Sequence, residues 1–414
     1  MKFFFPDSHD LVDPSFDFRS ESRTYAGSRQ QAHLYAHEVL DLPPYDGMLV
    51  SKAAIDGRTD NVRYSFAQIQ RLKRVGAREF LRLDQTSFAK RIETMGDCGS
   101  FTYVNESEPP FTVSDVVEFY LDCKFDYGLS LDHVILGFSN DDSKVAPDQL
   151  DKWKRRFNMT VELADEFLRM HKQNRLPFEP IGVAQGWSAE SYREAVGALQ
   201  NMGYKYVALG GMVPLKTREI LASLEAVRQV RFPQTKLHLL GIGRFDRLGE
   251  LDKYGIYSFD STAPLKQAFM DDRDNYYTLT RTYTAIRIPQ VGENANLKKR
   301  ILSGEIDQGR ARQLERDSFL GVMAYAEGSI GLDTLIDRLR EYEKLWHGAS
   351  DSSEHYRRTL IDAPWRHCNC SICRELGIHV VIFRGAERNR RRGFHNLQVV
   401  RNRLCGNYTP NDIH

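Results

Sequence analysis

The chain has 414 residues, of which 41% are hydrophobic and 11% aromatic, so it can bury a large core and wholesale disorder is excluded. A formal net charge of +1 excludes a polycation that binds nucleic acid through bulk charge. No apolar run approaches the roughly 20 residues of a membrane span, the N-terminus does not resemble a secretory signal, and six cysteines do not make a disulfide scaffold. We therefore expect a cytoplasmic protein without membrane contact.

Short apolar strands alternate with helical segments through the middle of the chain. The predicted strands are His133–Ser139, Glu179–Gly186, Tyr206–Met212, Lys236–Gly243 and Ile256–Thr262. The predicted helices are Pro147–Gln173, Ser188–Met202, with Ser188 as its N-cap, and Pro214–Val230. This alternation indicates a parallel sheet covered by helices and favours an α/β fold of the (β/α)8 TIM-barrel type. A doubly wound open sheet is the alternative, but the Gly-rich phosphate turn that it requires is missing.

Polar residues and glycines fall at, just before or just past the ends of these predicted strands. The strand ends of a barrel open onto one face, where active sites lie. The residues are Asp132, Gln185, Gly210, Gly211, Gly241, Gly243 and Asp260.

The composition changes after about residue 275, where the regular alternation stops. Asn296–Glu343 is charged and helical, and Trp365–Arg403 is predicted to be short-stranded, rich in Cys and Arg, and clipped by a metal. We therefore predict three regions. They are an N-terminal extension of unassigned role at 1–45, a catalytic barrel at 46–350, and a zinc-binding, Arg-rich subdomain packed on the barrel at 351–414.

Three cysteines lie within six residues, at Cys368, Cys370 and Cys373. Three thiolates and one imidazole form a closed tetrahedral set, which suits structural zinc because no position stays open for water. His395, His367 and His379 are the candidates for the fourth ligand. The alternative interpretation is three incidental thiols and a surface histidine.

Two aspartates are candidates for chemistry. Asp97 lies in a Gly-flanked turn followed by the aromatic Phe101, and Asp260 ends a hydrophobic strand. Taken singly, Asp97 suits an Asx-type turn and Asp260 suits a helix N-cap. Two carboxylates on one barrel face are instead what glycosidic-bond chemistry requires, since one attacks or stabilises the anomeric carbon and the other manages the leaving-group proton.

Three further segments carry hydrogen-bonding groups that suit recognition of the edge of a purine-like base. Asp132 offers a carboxylate, Gln185 a carboxamide, and Gly210 and Gly211 exposed backbone amides. Each segment taken singly also suits an ordinary turn.

Together these segments resemble the tRNA-guanine transglycosylase superfamily, zinc-bearing (β/α)8 barrels that exchange a guanine base for a 7-deazaguanine. The resemblance covers roughly residues 90–400. It rests on motifs that follow one another in the order of the family. They are the Asp97 turn, Gln185-Gly186, Gly210-Gly211, Gly241-Ile242-Gly243, Phe259-Asp260, the Cys-x-Cys-x-x-Cys clip and His395-Asn396-Leu397.

The resemblance implies a role for each matching residue. Asp260 would be the nucleophile on C1′ of the target nucleotide, Asp97 the general acid/base, and His395 the fourth ligand of a structural Zn²⁺. No nucleotide or redox cofactor is implied. The implied base-binding residues are Asp132, Gln185, Gly210, Gly211, Phe101, which would stack on the base, and Cys98, which stands where the family often has a ligand-touching Ser.

The chain departs from the usual pattern of the superfamily at several positions. At these positions it resembles the branch that modifies DNA, the DpdA-type DNA 7-deazaguanine transglycosylases of bacteria and their phages. Examples are His133-Val134 in place of a Glu-Cys pair and the absence of an appended RNA-binding domain. We therefore expect DNA as the polymer, a preQ0-like 7-deazaguanine as the incoming base, and helper proteins of a DNA-modification system as partners. The alternatives are the same exchange on tRNA, or a non-catalytic nucleic-acid-binding partner subunit.

An arginine-rich run near the C-terminus is the candidate for gripping the nucleic-acid backbone. Within residues 384–403 only Glu387 opposes its positive charge, which favours a phosphate-binding patch over a merely solvated face. The candidate residues are Arg384, Arg388, Arg390, Arg391 and Arg392.

Overall fold

The computed structural model describes residues 1–23, 32–56, 64–86, 88, 92–243, 248–348 and 350–406. The chain divides into two compact units. The first comprises Met1–His9 and Tyr45–Thr262, and the second comprises Asp10–Pro44 and Ala263–His414. Within the described ranges, no helix combines the length and the apolar character that a bilayer crossing would need.

The first unit contains a closed barrel of eight parallel strands, which confirms the predicted α/β barrel. The ring follows chain order and closes where the first strand pairs with the last, Lys2 opposite Ser258 and Phe4 opposite Asp260. The strands are β1 (Lys2–Pro6), β2 (Gly47–Ser51), β3 (Glu93–Asp97), β4 (Tyr127–Leu129), β5 (Glu179–Ala184), β6 (Tyr206–Leu209), β7 (Lys236–Leu239) and β8 (Ser258–Asp260).

Helices connect successive strands of this barrel and begin at recognisable N-caps. The Ser188 hydroxyl accepts a hydrogen bond from the backbone N–H of Ser191, as the sequence predicted. Thr112 caps the helix Val113–Cys123 in the same way, through the N–H of Asp115. The α-helices of this unit are Lys52–Ile55, Phe66–Val75, Ala77–Phe80, Val113–Cys123, Pro147–Asn174, Ala189–Met202, Thr217–Val230 and Leu248–Asp252.

Side chains from alternate strand positions fill the barrel interior, as the two-residue period of a strand requires. The interior is therefore a packed core, and chemistry is confined to the ends of the strands. The buried cluster contains Phe4, Leu49, Met95, Tyr127, Leu129, Ile181, Val183, Tyr206 and Ala208.

The predicted strand His133–Ser139 is wrong, because β4 ends earlier, at Leu129. Val134 and Ile135 of this segment are buried outside any strand, and Ile135 packs with Trp153 and Trp187. An apolar run in the sequence does not by itself distinguish a buried irregular segment from a β-strand. As a consequence Asp132 follows a strand instead of preceding one.

The predicted domain boundaries also differ from the structure. Residues 1–45 are not an extension to the barrel, since Lys2–Pro6 is the strand that closes the ring. The barrel unit ends at Thr262 and not at residue 350, and residues 10–44 belong to the second unit. A five-residue strand of mostly Phe carries no repeat signal of its own, so sequence periodicity misses it.

The second unit is mainly helical. The predicted short-stranded character of Trp365–Arg403 is wrong, because one long helix occupies its C-terminal half. The α-helices of this unit are Ala36–Val39, Ala263–Met270, Ala295–Leu302, Gln308–Ala326, Leu332–His347, Ser353–Asp362, Ser371–Leu376 and Gly385–Cys405. Its short strands pair as Phe16–Asp17 with Ser22–Arg23, Tyr276–Tyr277 with Thr282–Tyr283, and Ile286–Arg287 with Ile382–Phe383.

Candidate active site and metal centre

Three carboxyl groups meet at the C-terminal mouth of the barrel. Asp97 ends β3, Asp260 ends β8, and Asp132 follows β4 by three residues. Their charges act on one another, since both Asp132 and Asp260 raise the pKa of Asp97. The structure thus brings together the two aspartates proposed for catalysis and the aspartate proposed for base binding.

Burial raises the pKa of two of these carboxyls, those of Asp97 and Asp132. Loss of hydration, followed by the negative charges of Asp132 and Asp260, raises the pKa of Asp97 to about 7, although the N–H groups of Cys98 and Gly99 lower it. Burial likewise raises the pKa of Asp132 to about 6, against hydrogen bonds that favour its ionised form. Both groups can therefore gain or lose a proton near neutral pH.

Asp132 and Gln185 form a buried polar pair with fixed orientation. The Gln185 Nε2 donates to Asp132 Oδ2 at 2.7 Å, while Gln185 Oε1 accepts from the N–H of Ile135 at 3.2 Å. A Cβ at Gly210 would lie 2.2 Å from Gln185 Nε2, and one at Gly211, whose φ is +72°, would lie 2.5 Å from the Ile135 carbonyl oxygen. Both glycines are therefore required for the close packing of this pair.

Two donors hold one oxygen of the Asp260 carboxylate. The N–H of Gly241 donates to Oδ1 at 2.9 Å, and His238 Nε2 lies 3.1 Å from the same atom. Sequence reasoning missed His238, although a histidine at an inward position of an otherwise apolar strand was a usable signal.

The two remaining residues of the Asp97 turn differ in where they point. Phe101 is 46% exposed, as a stacking residue requires, but Cys98 is fully buried. The Cys98 Sγ lies 3.5 Å from the Tyr120 hydroxyl and 3.9 Å from the Leu129 carbonyl oxygen, within the barrel wall. The prediction that Cys98 contacts the base is therefore wrong, because its thiol is enclosed by protein.

Cys368, Cys370, Cys373 and His395 form a cluster that can hold a metal ion, with all four ligand atoms within 4.8 Å of one another. The His395 Nδ1 lies 3.6, 3.4 and 3.4 Å from the three sulfurs in chain order. A tetrahedral zinc site with ordinary bond lengths separates N and S by about 3.6 Å, so these residues fit the ion.

Further hydrogen-bond and ring contacts orient the His395 imidazole within the cluster. The His395 Nε2 donates to the Tyr277 carbonyl oxygen at 2.7 Å, which leaves Nδ1 free to face the three sulfurs. The Tyr276 ring stacks on the imidazole with 4.2 Å between centroids, and its hydroxyl lies 3.3 Å from Cys373 Sγ. Of the three candidate histidines, only His395 belongs to the cluster found among the described residues.

The arginine run is mostly interior, so its interpretation as a phosphate-binding patch is wrong. Arg388 is 1% exposed and Arg392 is not exposed at all. Glu21 pairs with both Arg384 and Arg388, from more than 360 positions away in the sequence. Four of the five arginines are buried, and the fifth, Arg390, is partly buried. Their partners are Glu21, Glu315, Asp10, Glu387 and backbone carbonyl oxygens of the second unit.

An active-site mouth with convergent carboxyls and a preoriented carboxamide, on a parallel barrel, is suited to breaking and remaking the bond between a sugar and a heterocyclic base. The fold and the site therefore define the class of base-exchanging glycosyltransferases.

Comparison with known proteins gives the family. The chain is 46% identical over 409 residues to the DNA-guanine transglycosylase of Salmonella montevideo, across 98% of this chain and 96% of that protein. Shorter matches are to queuine tRNA-ribosyltransferases of Azoarcus sp., 31% identical over 28% of this chain and 30% of that protein, and of Marinobacter nauticus, 25% identical over 37% and 38%. No family model matches. The chain belongs to the DNA-guanine transglycosylase family of the tRNA-guanine transglycosylase superfamily, and it is a guanine transglycosylase, as the resemblance predicted.

Proposed function

We propose that this enzyme replaces guanine in DNA with a 7-deazaguanine base such as preQ0 by double displacement at C1′ of the target nucleotide. The observation that carries the proposal is the meeting of Asp97 and Asp260 at one barrel mouth, with the charge of Asp260 acting on Asp97. The relative from Salmonella supports DNA as the polymer.

In the first displacement, the Asp260 carboxylate attacks C1′ and a C–O bond replaces the C1′–N9 bond. The bonding electron pair leaves with guanine, which takes a proton from Asp97. A carboxyl with a pKa of about 7 still holds a proton in much of the enzyme at neutral pH, which suits this role.

In the second displacement, the incoming base loses its N9 proton to Asp97 and attacks C1′. The ester bond breaks, and its electron pair returns to Asp260. Two inversions preserve the β configuration, and Asp97 ends in the protonated form in which it began. The exchange therefore balances without an external oxidant, reductant or nucleotide.

Asp132 and Gln185 are proposed to read the base. A guanine presents N1–H and N2–H donors on one edge, and the Asp132 carboxylate, which Gln185 and Ser100 orient by hydrogen bonds, is an acceptor suited to that edge. Gly210 and Gly211 allow the pair to lie this close. Phe101 is proposed to stack on the base from the turn after β3.

A base can reach this mouth only when it is out of the duplex stack, which costs a few kcal/mol. Exposed apolar side chains follow three of the barrel strands and support this arrangement. They are Phe101 after β3, Leu136 after β4 and Val213 after β6, exposed by 46%, 39% and 47%. Such side chains are suited to contact unstacked bases, which have lost their apolar neighbours.

Zn²⁺ is proposed as the ion of the second unit, held by Cys368, Cys370, Cys373 and His395. The ion would supply a structural cross-link and no chemistry at C1′, because four protein ligands close its tetrahedral shell.

The test is to supply labelled preQ0 with either duplex DNA or bulk tRNA and to measure label in each polymer. We expect label in DNA and none with the Asp260→Asn variant, which should still bind DNA. Label in tRNA alone would reverse the choice of polymer. Label in DNA only after helper proteins are added would establish that the duplex must be opened by partners.

A further inference from the structure

We propose that His238 is a positioning residue for the nucleophile. Through Nε2–H it holds Asp260 Oδ1, so that Oδ2 faces C1′, and it stabilises the carboxylate when the second displacement releases it. This inference rests on the proposed function and adds a residue to its mechanism.

The barrel register places the imidazole against the nucleophile. Ser258 and Asp260 are two residues apart on β8, so both side chains face the interior. His238 lies opposite Ser258 on the neighbouring strand β7. Its ring therefore spans the interior between them, with Nδ1 2.6 Å from Ser258 Oγ and Nε2 3.1 Å from Asp260 Oδ1.

The hydrogen-bond chain continues below the histidine to Tyr206, whose hydroxyl bonds Ser258 Oγ. His238, Ser258 and Tyr206 have no exposed surface. Burial raises the pKa of Tyr206, so this phenol keeps its proton and can donate.

One direction of donation satisfies every member of the chain when the imidazole is neutral. An ionised Asp260 can only accept, so His238 donates from Nε2. Its Nδ1 then accepts from the Ser258 hydroxyl, whose oxygen accepts from Tyr206. The tautomer of the histidine is thus set by its partners.

The same bonds leave the other carboxylate oxygen open. The described part of the chain provides two hydrogen bonds to the side-chain carboxylate of Asp260, from His238 and from Gly241, and both end on Oδ1. Oδ2 keeps its lone pairs for C1′. When the glycosyl ester forms at Oδ2, Oδ1 becomes the ester carbonyl oxygen. When the ester breaks, negative charge returns to both oxygens, and the His238 N–H strengthens its bond to the leaving carboxylate.

The test compares His238→Phe, which removes the donor, with His238→Gln, whose amide nitrogen can replace Nε2–H. We expect His238→Phe to lower kcat for preQ0 incorporation into DNA by about 10- to 100-fold, as for one hydrogen bond to a charged group, with KM for DNA within about twofold of wild type. His238→Gln should recover at least part of the loss. Ser258→Ala leaves the histidine in place and should give a smaller decrease in kcat.

His171→Phe is the matched control, since His171 bonds the Phe178 carbonyl oxygen on a barrel connection and should not affect kcat. Thermal unfolding of each variant excludes misfolding, and if His238→Phe does not fold, Ser258→Ala carries the comparison. The inference is overturned if His238→Phe retains wild-type kcat, if only KM changes, or if folded His238→Gln is no better than His238→Phe. A wild-type enzyme that incorporates no base contradicts the proposed function instead.

Discussion

At the scale of a single residue, both proposed displacements depend on the proton of Asp97. Its pKa of about 7 arises mainly from burial and then from the charges of Asp132 and Asp260. A group poised near the working pH can donate to the departing base and accept from the incoming one with little energetic cost in either direction. An exposed aspartate, with a pKa near 4, would be a poor donor at pH 7.

Asp97→Asn should reduce base exchange by about 100- to 10,000-fold, because general acid–base catalysis typically contributes that much. Binding of DNA should persist, since the change preserves the shape of the side chain. Steady-state incorporation of labelled base and a DNA-binding assay measure the two effects. Activity within a few fold of wild type would remove Asp97 from the mechanism.

The rate of the first displacement should fall as pH rises through about 7, because deprotonation of Asp97 removes the proton donor. Single-turnover release of guanine from DNA at pH 6 to 9 measures this limb. A rate that stays constant across that range would show that the proton comes from elsewhere.

Sequence reasoning singled out Asp132, Gln185 and Asp260 because the strand ends of a barrel converge on one face. It singled out Asp97 from its Gly-flanked turn and from the family resemblance. It could not predict that the arginines are buried, because a run of charged residues does not show which residues elsewhere in the chain pair with it. Glu21, which pairs with two of them, lies near the other end of the chain.

At the scale of an element, the turn after β6 determines how closely Asp132 and Gln185 pack. Gly211 has a positive φ, and a Cβ at this position would lie only 2.5 Å from the Ile135 carbonyl oxygen. No side chain fits there without displacing backbone.

Gly211→Ala should lower the free energy of unfolding by about 1 to 2 kcal/mol from the backbone conformation alone, and should also reduce kcat by moving Gln185. Gly197→Ala is the matched control. Gly197 lies in the helix Ala189–Met202 with no atom within 4 Å of a new Cβ, so this change should stabilise by about 0.5 to 1 kcal/mol. Denaturant unfolding and kcat measure both, and equal effects would contradict the role of the turn.

The turn before the short helix Ser371–Leu376 and the first turn of that helix supply the three sulfurs of the Cys368, Cys370, Cys373 and His395 cluster. Cys370 is the N-cap of that helix, and its Sγ accepts from the N–H of Cys373 at 3.4 Å. The backbone thus orients two ligands before an ion binds.

Purified protein should contain about one zinc per chain, and Cys373→Ser should lose it together with several kcal/mol of stability. Cys405→Ser, which alters an exposed cysteine outside the cluster, should retain the metal. Elemental analysis and thermal unfolding provide the readouts. Full zinc occupancy in the Cys373 variant would refute the assigned ligand set.

At the scale of the whole molecule, the buried carboxyls make stability depend on pH. Asp97 and Asp132 have raised pKa values in the fold and ordinary ones in the unfolded chain. The folded protein therefore binds more protons between about pH 4 and 7, and its stability declines as pH rises through that window.

Asp97→Asn should consequently be more stabilising at pH 8 than at pH 5, where the wild-type carboxyl is already largely neutral. One pKa unit corresponds to about 1.4 kcal/mol, so we expect a difference of at least about 1 kcal/mol between the two pH values. Denaturant unfolding at both values measures it. An identical effect at pH 5 and pH 8 would mean that the carboxyl is not destabilised by burial.

The barrel as a class was predictable because five regular strand–helix units repeat in the middle of the chain. Its closure was not, since β1 and β2 are separated by about 40 residues, most of which belong to the other unit. Pairing over such a distance depends on tertiary packing, which a local pattern does not record.

The most direct test of the central claim is mass spectrometry of the enzyme quenched during reaction with duplex DNA in the absence of an incoming base. The account predicts a covalent protein–DNA species whose attachment maps to Asp260, which is absent from Asp260→Asn and disappears when preQ0 is added. A species attached at any other residue, or base exchange that proceeds in the Asp260→Asn variant, would contradict it.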